Sequence, residues 1–304
     1  MAPMKWKKLG RVFVPAGDAA WMHSHAANPV ALIGDGELVR IYFSTRDVEN
    51  RSSVGWVEID LKEPTRILRV SPRPALSPGT IGCFDDSGAS IGCILRRGGE
   101  LWLYYMGWNL GVTVPWRNAI GLAVSRDGGD TFERVSLAPV MDRSQVDPYT
   151  LSYPWVIEKD GTFRAWYGSN LSWGAEKADM DHMIKAAHSR DGVSWIRDGK
   201  VVIIPTSDAE FAFARPCVVA DPGLYRMWYA FRGERYRIGY AESVDGENWI
   251  RKDDEVGIDV SPGKWDGESV EYPSIFDHGG KRYMLYCGDG YGRTGFGLAV
   301  LEGM

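Results

Sequence analysis

The sequence predicts an all-β fold, a five-bladed β-propeller with four antiparallel strands per blade. Three observations predict it: a recurring aromatic phrase, a hairpin signature before each copy, and an N-terminal segment that matches a strand the last copy lacks. The phrase reads VRIYFS, LWLYYM, FRAWYG, YRMWYA and RYMLYC, and its second aromatic falls at Phe43, Tyr105, Tyr167, Tyr229 and Tyr286, at spacings of 62, 62, 62 and 57 residues. Self-similarity at one period marks an array of like units, none of which can bury its apolar face alone.

Each unit opens with a short apolar strand, NPVALI, SIGCIL, YPWVIE, RPCVVA or YPSIFD. A glycine-bearing turn follows (GDGE, RRGGE, KDGT, DPGL, HGGK), then the aromatic strand, which is the pattern of a β-hairpin. After a variable loop comes a third strand: SVGWVEI, AIGLAVS, MIKAAHS, RIGYAES or GFGLAVL. Three middle units add a turn and a fourth strand, in SRDGGDTFERV, SRDGVSWIRDG and SVDGENWIRKD. Four antiparallel strands repeated radially make propeller blades. The last unit stops at GLAVLEGM, while the opening KWKKLGRVFVP resembles the fourth-strand segments, so the N-terminus is expected to supply the outer strand of the last blade. That arrangement removes a free edge and makes residues 1–304 one domain. The SRDGGDTF turn resembles the Asp-box of sialidases, but it falls between strands three and four, where its Asp and Gly shape a turn.

Composition narrows the partners. The 304 residues carry 35 Lys and Arg against 40 Asp and Glu, a net charge of -5, which offers no basic field for a nucleic-acid backbone. The start has lysines but no apolar leader core, and no stretch reaches the roughly 18 apolar residues of a membrane span. A cytoplasmic protein is therefore expected. Cys83, Cys93, Cys217 and Cys287 have no CxxC spacing and read as buried, reduced thiols. His23 and His25 lack a third ligand at a fixed spacing, so neither a metal nor a cofactor is called for.

Alternating strand direction sends two sets of loops to one face, around a central funnel, the default place for a ligand. Loops entering the first strands carry WMHSHAAN, CFDDSGAS, VDPYTLSY, EFAFAR and WDGESVEY; loops after the aromatic strands carry STRDVENRS, GWNLGVTVPWRN, SNLSWGAEKADMDH, RGER and GDGYGRT. With Pro29, Gly92, Pro154, Pro216 and Pro273 in register, Asp85, Asp147 and Asp266 share one column, and Asp86 and Glu210 share the next. A carboxylate that recurs in most units is expected to hold a turn, for Asp85 and Asp266 more than for Asp147. Two residues before the register position stand Ala27, Ser90, Ser152, Ala214 and Glu271. One residue before it stand Asn28, Ile91, Tyr153, Arg215 and Tyr272. Glu271 alone sets a carboxylate on a first strand, at a cost that binding or catalysis offsets.

At these residues the chain resembles the five-bladed glycoside hydrolase superfamily, families 43, 32 and 130, with YPSIFDHGGKRYMLY its most typical phrase. The resemblance implies a Glu-x-Pro general acid, which Glu271, Tyr272 and Pro273 match, and an Asp-Pro general base, where this chain has Asn28 and Pro29. It also implies an acid on another blade that tunes the Glu, a place open to Asp86 or Asp147. The expected activity is cleavage of a glycosidic bond, by hydrolysis or phosphorolysis, with Glu271 protonating the leaving oxygen and Asp86 or Asp147 as second carboxylate. The expected ligand is a saccharide or an activated or anionic sugar. Its expected contacts are His25, Asn28, Arg46, Trp108, Arg117, Tyr153, Trp173, Arg215, Arg232, Tyr272 and Asp289. Phosphate or an acidic sugar would take arginines, and the near face offers Arg46, Arg51, Arg117, Arg215, Arg232 and Arg293, of which some are expected to pair with nearby acids such as Asp47 and Glu234 and at least half to be structural. Two alternatives remain: a sugar-modifying or glycan-building enzyme that does not hydrolyse, and a saccharide-binding propeller without chemistry.

Overall fold

A computed structural model describes residues 3–174 and 180–303; part of the SNLSWGAEKADMDH loop, residues 175–179, lies outside them. Nineteen strands fall into five antiparallel sets. The opening strand β1 (Trp6–Phe13) is followed by β2 (Ser24–Ile33), β3 (Leu38–Arg46), β4 (Ser52–Asp60) and β5 (Ile67–Val70), which pair in that order. Next come β6 (Gly88–Arg97), β7 (Glu100–Leu110), β8 (Trp116–Ser125) and the two-residue β9 (Glu133–Arg134). The third set is β10 (Leu151–Lys159), β11 (Thr162–Asn170) and β12 (His182–Ser189). Here the expected fourth strand is reduced to two isolated bridges, Lys185 with Val201 and His188 with Ile196, because Gly199 turns the chain between them with φ +80°. The fourth set is β13 (Ala212–Asp221), β14 (Leu224–Arg232), β15 (Tyr236–Ser243) and β16 (Ile250–Arg251). The fifth is β17 (Glu271–His278), β18 (Lys281–Cys287) and β19 (Phe296–Leu301), and β1 pairs antiparallel with β19 to complete it.

The first strands pack side by side in the order β2, β6, β10, β13, β17, and β17 packs back onto β2. Between each neighbouring pair of sets lies one apolar cluster. Phe43 and Val57 meet Leu285 and Leu298, Trp56 meets Leu103, Tyr104 meets Val156, Trp166 meets Met227, and Trp228 meets Met284. Each buried side chain of this size stabilises the fold by about 1.5–3 kcal/mol, so the alternating apolar strands are held chiefly by what lies between sets. A smaller cluster, with Ala27, Ala214, Tyr272 and Cys287, joins three first strands.

The aromatic phrase has two jobs, divided between its two rings. The first ring reaches the next set: Tyr42 and Tyr104 hydroxyls donate to the carbonyls of Gly129 and Gly192 at 2.8 Å, and the Trp166 indole donates to that of Gly246 at 3.2 Å. Gly192 and Gly246 close two of the SxDG turns and Gly129 directly follows the third, and Ser189, Ser243 and Ser125 accept from their N–H groups at 2.8, 2.9 and 2.9 Å. Gly129 must be glycine: its φ is +93°, and a Cβ there would collide with the Tyr42 hydroxyl. The second ring stays within its set. Tyr105, Tyr167 and Tyr286 donate to Asp85, Asp147 and Asp266 at 3.0, 3.0 and 3.2 Å. A cation from the outer segment completes each bolt: Arg134 on Asp85, Arg197 on Asp147 and Lys8 on Asp266. The fourth set uses a variant, with Tyr229 on Asp253 and Arg251 spanning Glu210 and Asp253. The first set has Phe43 instead of tyrosine and no acid in the column.

No described helix is long and apolar enough to cross a membrane.

Candidate active site

Every first strand is bulged at the register position. The pairing slips between Ala27 and Val30, Ile91 and Cys93, Ser152 and Trp155, Ala214 and Cys217, and Glu271 and Ser274. At four of the five bulges the residue before proline is left-handed: Asn28 (φ 54°), Tyr153 (39°), Arg215 (54°) and Tyr272 (56°). A bulge re-aims the side chain at its centre, and a non-glycine residue held there is costly enough to persist only when its surroundings fix it. The second set instead has Ile91 followed by Gly92, where a Cβ would stand 2.6 Å from the Pro154 carbonyl oxygen.

Glu271 opens β17 and is 1% exposed. Its Oε1 accepts from the Tyr291 N–H at 2.9 Å and the Ser269 hydroxyl at 3.3 Å, while Oε2 is buried without a partner among the described residues. Burial pushes its pKa up to about 8; the Asp289 charge acts the same way, and the Tyr291 hydrogen bond opposes both. At neutral pH Glu271 therefore carries a proton. Asp289 is itself pinned, accepting from the Glu268 and Ser269 N–H groups at 2.9 Å.

A tyrosine wall stands beside the acid. Tyr272 packs on Tyr153, Tyr236 and Tyr291 with ring centres 5.5, 5.8 and 6.3 Å apart. Arg232 lies over Tyr236 and meets the Tyr291 hydroxyl at 3.3 Å. Sequence reasoning missed Tyr236, Tyr291 and Ser269. Tyr291 reaches Glu271 because Gly290 and Tyr291 are both left-handed, at φ 69° and 60°, a conformation to which the DGYG run was the available signal.

The neighbouring first strand, β2, is flanked by cations. Arg46 ends β3 opposite Ser24, and Arg293 follows Gly292, whose backbone lies against Ala26 and Ala27. His25 is pushed down to about 4 by burial and by these two guanidinium charges, so it is neutral. Asn28 donates to Ser44 at 3.5 Å and its Oδ1 has no partner among the described residues; its carbonyl accepts from Arg215 at 3.5 Å. Of the six near-face arginines, Arg51 alone has a carboxylate partner among the described residues, in Asp47 and Glu49.

The remaining expected residues separate. Asp147 is fully buried, with Oδ1 on Ser169 (2.7 Å) and Lys185 (3.1 Å) and Oδ2 on Tyr167 (3.0 Å) and Arg197 (2.9 Å). Both oxygens are taken, by a tyrosine and a cation as in its column-mates Asp85 and Asp266 and by Ser169 and Lys185 besides. Asp86 accepts from the Gly82 N–H at 3.0 Å and the Ser87 hydroxyl at 3.1 Å, contacts confined to its own turn. The Trp108 indole bridges to Ser52 at 2.7 Å. Arg117 and Trp173 line a cavity of about 260 Å³ with Trp116 and Tyr149, and the two indoles meet edge to face at 5.7 Å. A larger cavity, about 500 Å³, lies at the other end of β11 and β12, by Arg164, His188 and Trp195. It is remote from the acid because β11 pairs Asn170 with His182 at the Glu271 end and Phe163 with Ser189 at this one.

No protein-family model matches the chain. Its fold is that of propeller glycoside hydrolases. A structure described as a glycoside hydrolase superposes with a TM-score of 0.77 at 18% identity, covering 100% of this chain and 93% of the other. A thermostable family-43 glycoside hydrolase gives 0.67 at 16%, over 91% and 88%. A structure from work on the GH130 family of mannoside phosphorylases, described as containing glycoside hydrolases that target β-1,2 mannosidic linkages, gives 0.70 at 15%, over 98% and 94%. In sequence, "Uncharacterized protein MT1551" of Mycobacterium tuberculosis strain CDC 1551 is 54% identical, and "Uncharacterized protein Rv1502" of strain H37Rv is 53% identical. Each match spans 98% of this chain and 100% of the relative. At that identity over whole chains, this protein belongs to the family of those two mycobacterial proteins, built on the fold of the propeller glycoside hydrolases.

Proposed function

We propose that the five strand sets are the blades of one five-bladed propeller domain, and that the chain is a carbohydrate-active enzyme that cleaves a glycosidic bond with Glu271 as general acid. The observation that carries this reading is an orphaned buried carboxyl oxygen, Oε2 of Glu271; the orphaned Oδ1 atoms of Asp85 and Asp266 belong to acids held by Arg134 and Lys8, whereas Glu271 has no cation partner among the described residues and holds its proton at neutral pH among packed tyrosines. Breaking a glycosidic bond needs such a group to protonate the departing oxygen. Burial keeps the acid protonated, and the Asp289 charge beside it adds a smaller cost to ionisation of Glu271. The tyrosines give a sugar ring an apolar face, and Arg232 and Tyr291 give its hydroxyls partners. The ring of first strands supports the five-blade reading, because β17 returns to β2.

Asn28 favours a second reading. An amide cannot take a proton from water, and Asp147 and Asp86 are occupied elsewhere. The nucleophile is then already charged, as phosphate is, or the sugar is transferred or modified without hydrolysis. Aryl glycosides incubated with and without phosphate separate these: free sugar means hydrolysis, and sugar 1-phosphate means phosphorolysis. Turnover lost in Glu271→Gln with saccharide binding retained fits the acid role. Unchanged turnover removes Glu271 from it, and binding without turnover in the unmutated protein leaves a binding propeller.

A further inference from the structure

The first half of β2, from His25 to Asn28, is approached by three guanidinium groups from three different elements. Arg46 comes from the end of β3, which pairs with β2 at Ser24. Arg293 comes from the turn after Asp289, held against β2 by Gly292, whose Cα sits where a Cβ would stand 2.6 Å from the Ala26 carbonyl oxygen. Arg215 comes from the bulge of β13 and meets the Asn28 carbonyl at 3.5 Å. None of the three has a carboxylate within ion-pair distance among the described residues. Arg46 donates to the neutral Asn50 side chain at 2.8 Å. The chain from Ala19 to Ile33 contains no acid at all, so the first set has neither an acid in the bolt column nor the next-column glutamate that the fourth set has in Glu210.

Arg215 makes the imbalance acute. It is 0% exposed, and its Nε and Nη1 have no hydrogen-bond partner among the described residues. Its other neighbours are the Trp155 ring at 5.7 Å, the buried thiols of Cys93, Cys217 and Cys287, and the Tyr153 hydroxyl. Burial pushes the Cys93 and Cys217 thiols up to about 12, so they stay protonated and bring no negative charge. A guanidinium cannot shed its proton as a buried lysine can. An unpaired buried charge costs several kcal/mol unless an anion is buried with it. The same position in the other sets holds Asn28, Ile91, Tyr153 and Tyr272, so the fold does not demand a cation there.

We propose that the sugar this protein takes is acidic, and that its carboxylate or phosphoryl group seats against β2 between Arg46 and Arg293, over the buried charge of Arg215, on the strand next to that of Glu271. The inference rests on the reading of the mouth as a saccharide site, and gives that site a substrate class. Two accessible guanidinium groups over a third that is buried, with no acid among them, attract a charged group strongly, whereas a neutral sugar would leave Arg215 uncompensated. The tyrosine wall spans the distance between the two ends: Tyr153 lies by the arginines and packs on Tyr272, next to the acid.

The test measures binding, not turnover, so that it is separate from the role of Glu271. Isothermal titration and thermal melts of the full chain are run with glucuronate, glucose 6-phosphate, glucose and inorganic phosphate at constant ionic strength. The expected result is saturable binding of one of the two acidic sugars, at least about tenfold tighter than glucose, with the preferred one naming the charged group. Arg46→Gln, at a half-buried position, is expected to weaken that binding about tenfold and leave glucose unaffected. Asn28→Asp, which sets a carboxylate beside the arginines, is expected to abolish it. Equal affinity for glucose and both acidic sugars overturns the proposal. So does undiminished acidic-sugar binding in a folded Arg46→Gln or Asn28→Asp variant. Binding of inorganic phosphate without either acidic sugar also overturns it, since the charge would then belong to a free anion.

Discussion

At the scale of single residues, Glu271 ties function to pH. Its ordinary value is 4.5 and its folded value about 8, so between those limits the folded chain holds a proton that the unfolded chain has lost. Stability therefore falls as pH rises through that window and levels off above it. Glu271→Gln removes the titration, so its urea midpoint is expected to match or exceed that of the unmutated protein at pH 9, with the difference shrinking below pH 5. If the two pH profiles run parallel, the acid is not held protonated. A general acid must also carry its proton to work, so the same group predicts an alkaline limb near pH 8 in kcat/KM. His25 has the opposite sign: its folded value of about 4 lies below its ordinary 6.5, so it contributes stability that is lost as pH falls through that range.

At the scale of elements, the Asp, Tyr and cation bolts explain why the carboxylates of the opening loops divide as they do. Asp147 holds two cations and two hydroxyls in a dry place, and Asp147→Asn leaves Lys185 and Arg197 without their shared partner. Breaking such a buried set costs about 3–5 kcal/mol. Urea unfolding is expected to show that loss for Asp147→Asn and a loss for Asp85→Asn, with activity per folded molecule retained, while Asp86→Asn stays within about 1 kcal/mol. An Asp86 variant that folds normally but is inactive would return that residue to the catalytic set. The repeat made most of this legible. A column with an acid in three sets pointed to a shared mechanical role, and Glu271 stood out in a separate column that otherwise holds Ala27, Ser90, Ser152 and Ala214. Tyr236 and Tyr291 were not legible, because they reach the acid through turns in which left-handed residues reverse the chain, and strand periodicity carries no trace of that geometry. The missing outer strand of the third set was hidden for a like reason, since WIRDGK matches its counterparts in pattern and differs in the turn at Gly199.

At the scale of the whole molecule, the two ends of the chain meet in one sheet. Residues Trp6 to Phe13 pair with Leu301 to Phe296, so β19 cannot be covered until β1 is in place. Three further contacts depend on that strand. Trp6 meets Trp228 of the fourth set edge to face at 6.3 Å, Lys8 reaches Asp266 at 2.6 Å, and the Met4 N–H donates to Glu255 at 3.0 Å. Removing residues 1–13 would bare the N–H and C=O groups of β19, an edge prone to pairing with other chains, and strip the cation from a buried Asp266. The damage would reach the site as well, because Asp266 steadies the loop that leads to Glu271 through Ser261 and Tyr286. A chain lacking residues 1–13 is therefore expected to melt well below the full protein and to self-associate. A synthetic peptide of residues 3–15, added in trans, is expected to raise the midpoint again by refilling the edge of β19. Lys8→Met separates the charge from the strand: it keeps the pairing and loses the ion pair, so its midpoint should fall between those of the truncated and the full chain. A truncated chain that melts like the full one, with no response to the peptide, would mean that the apolar contacts between sets hold the ring without its closing strand.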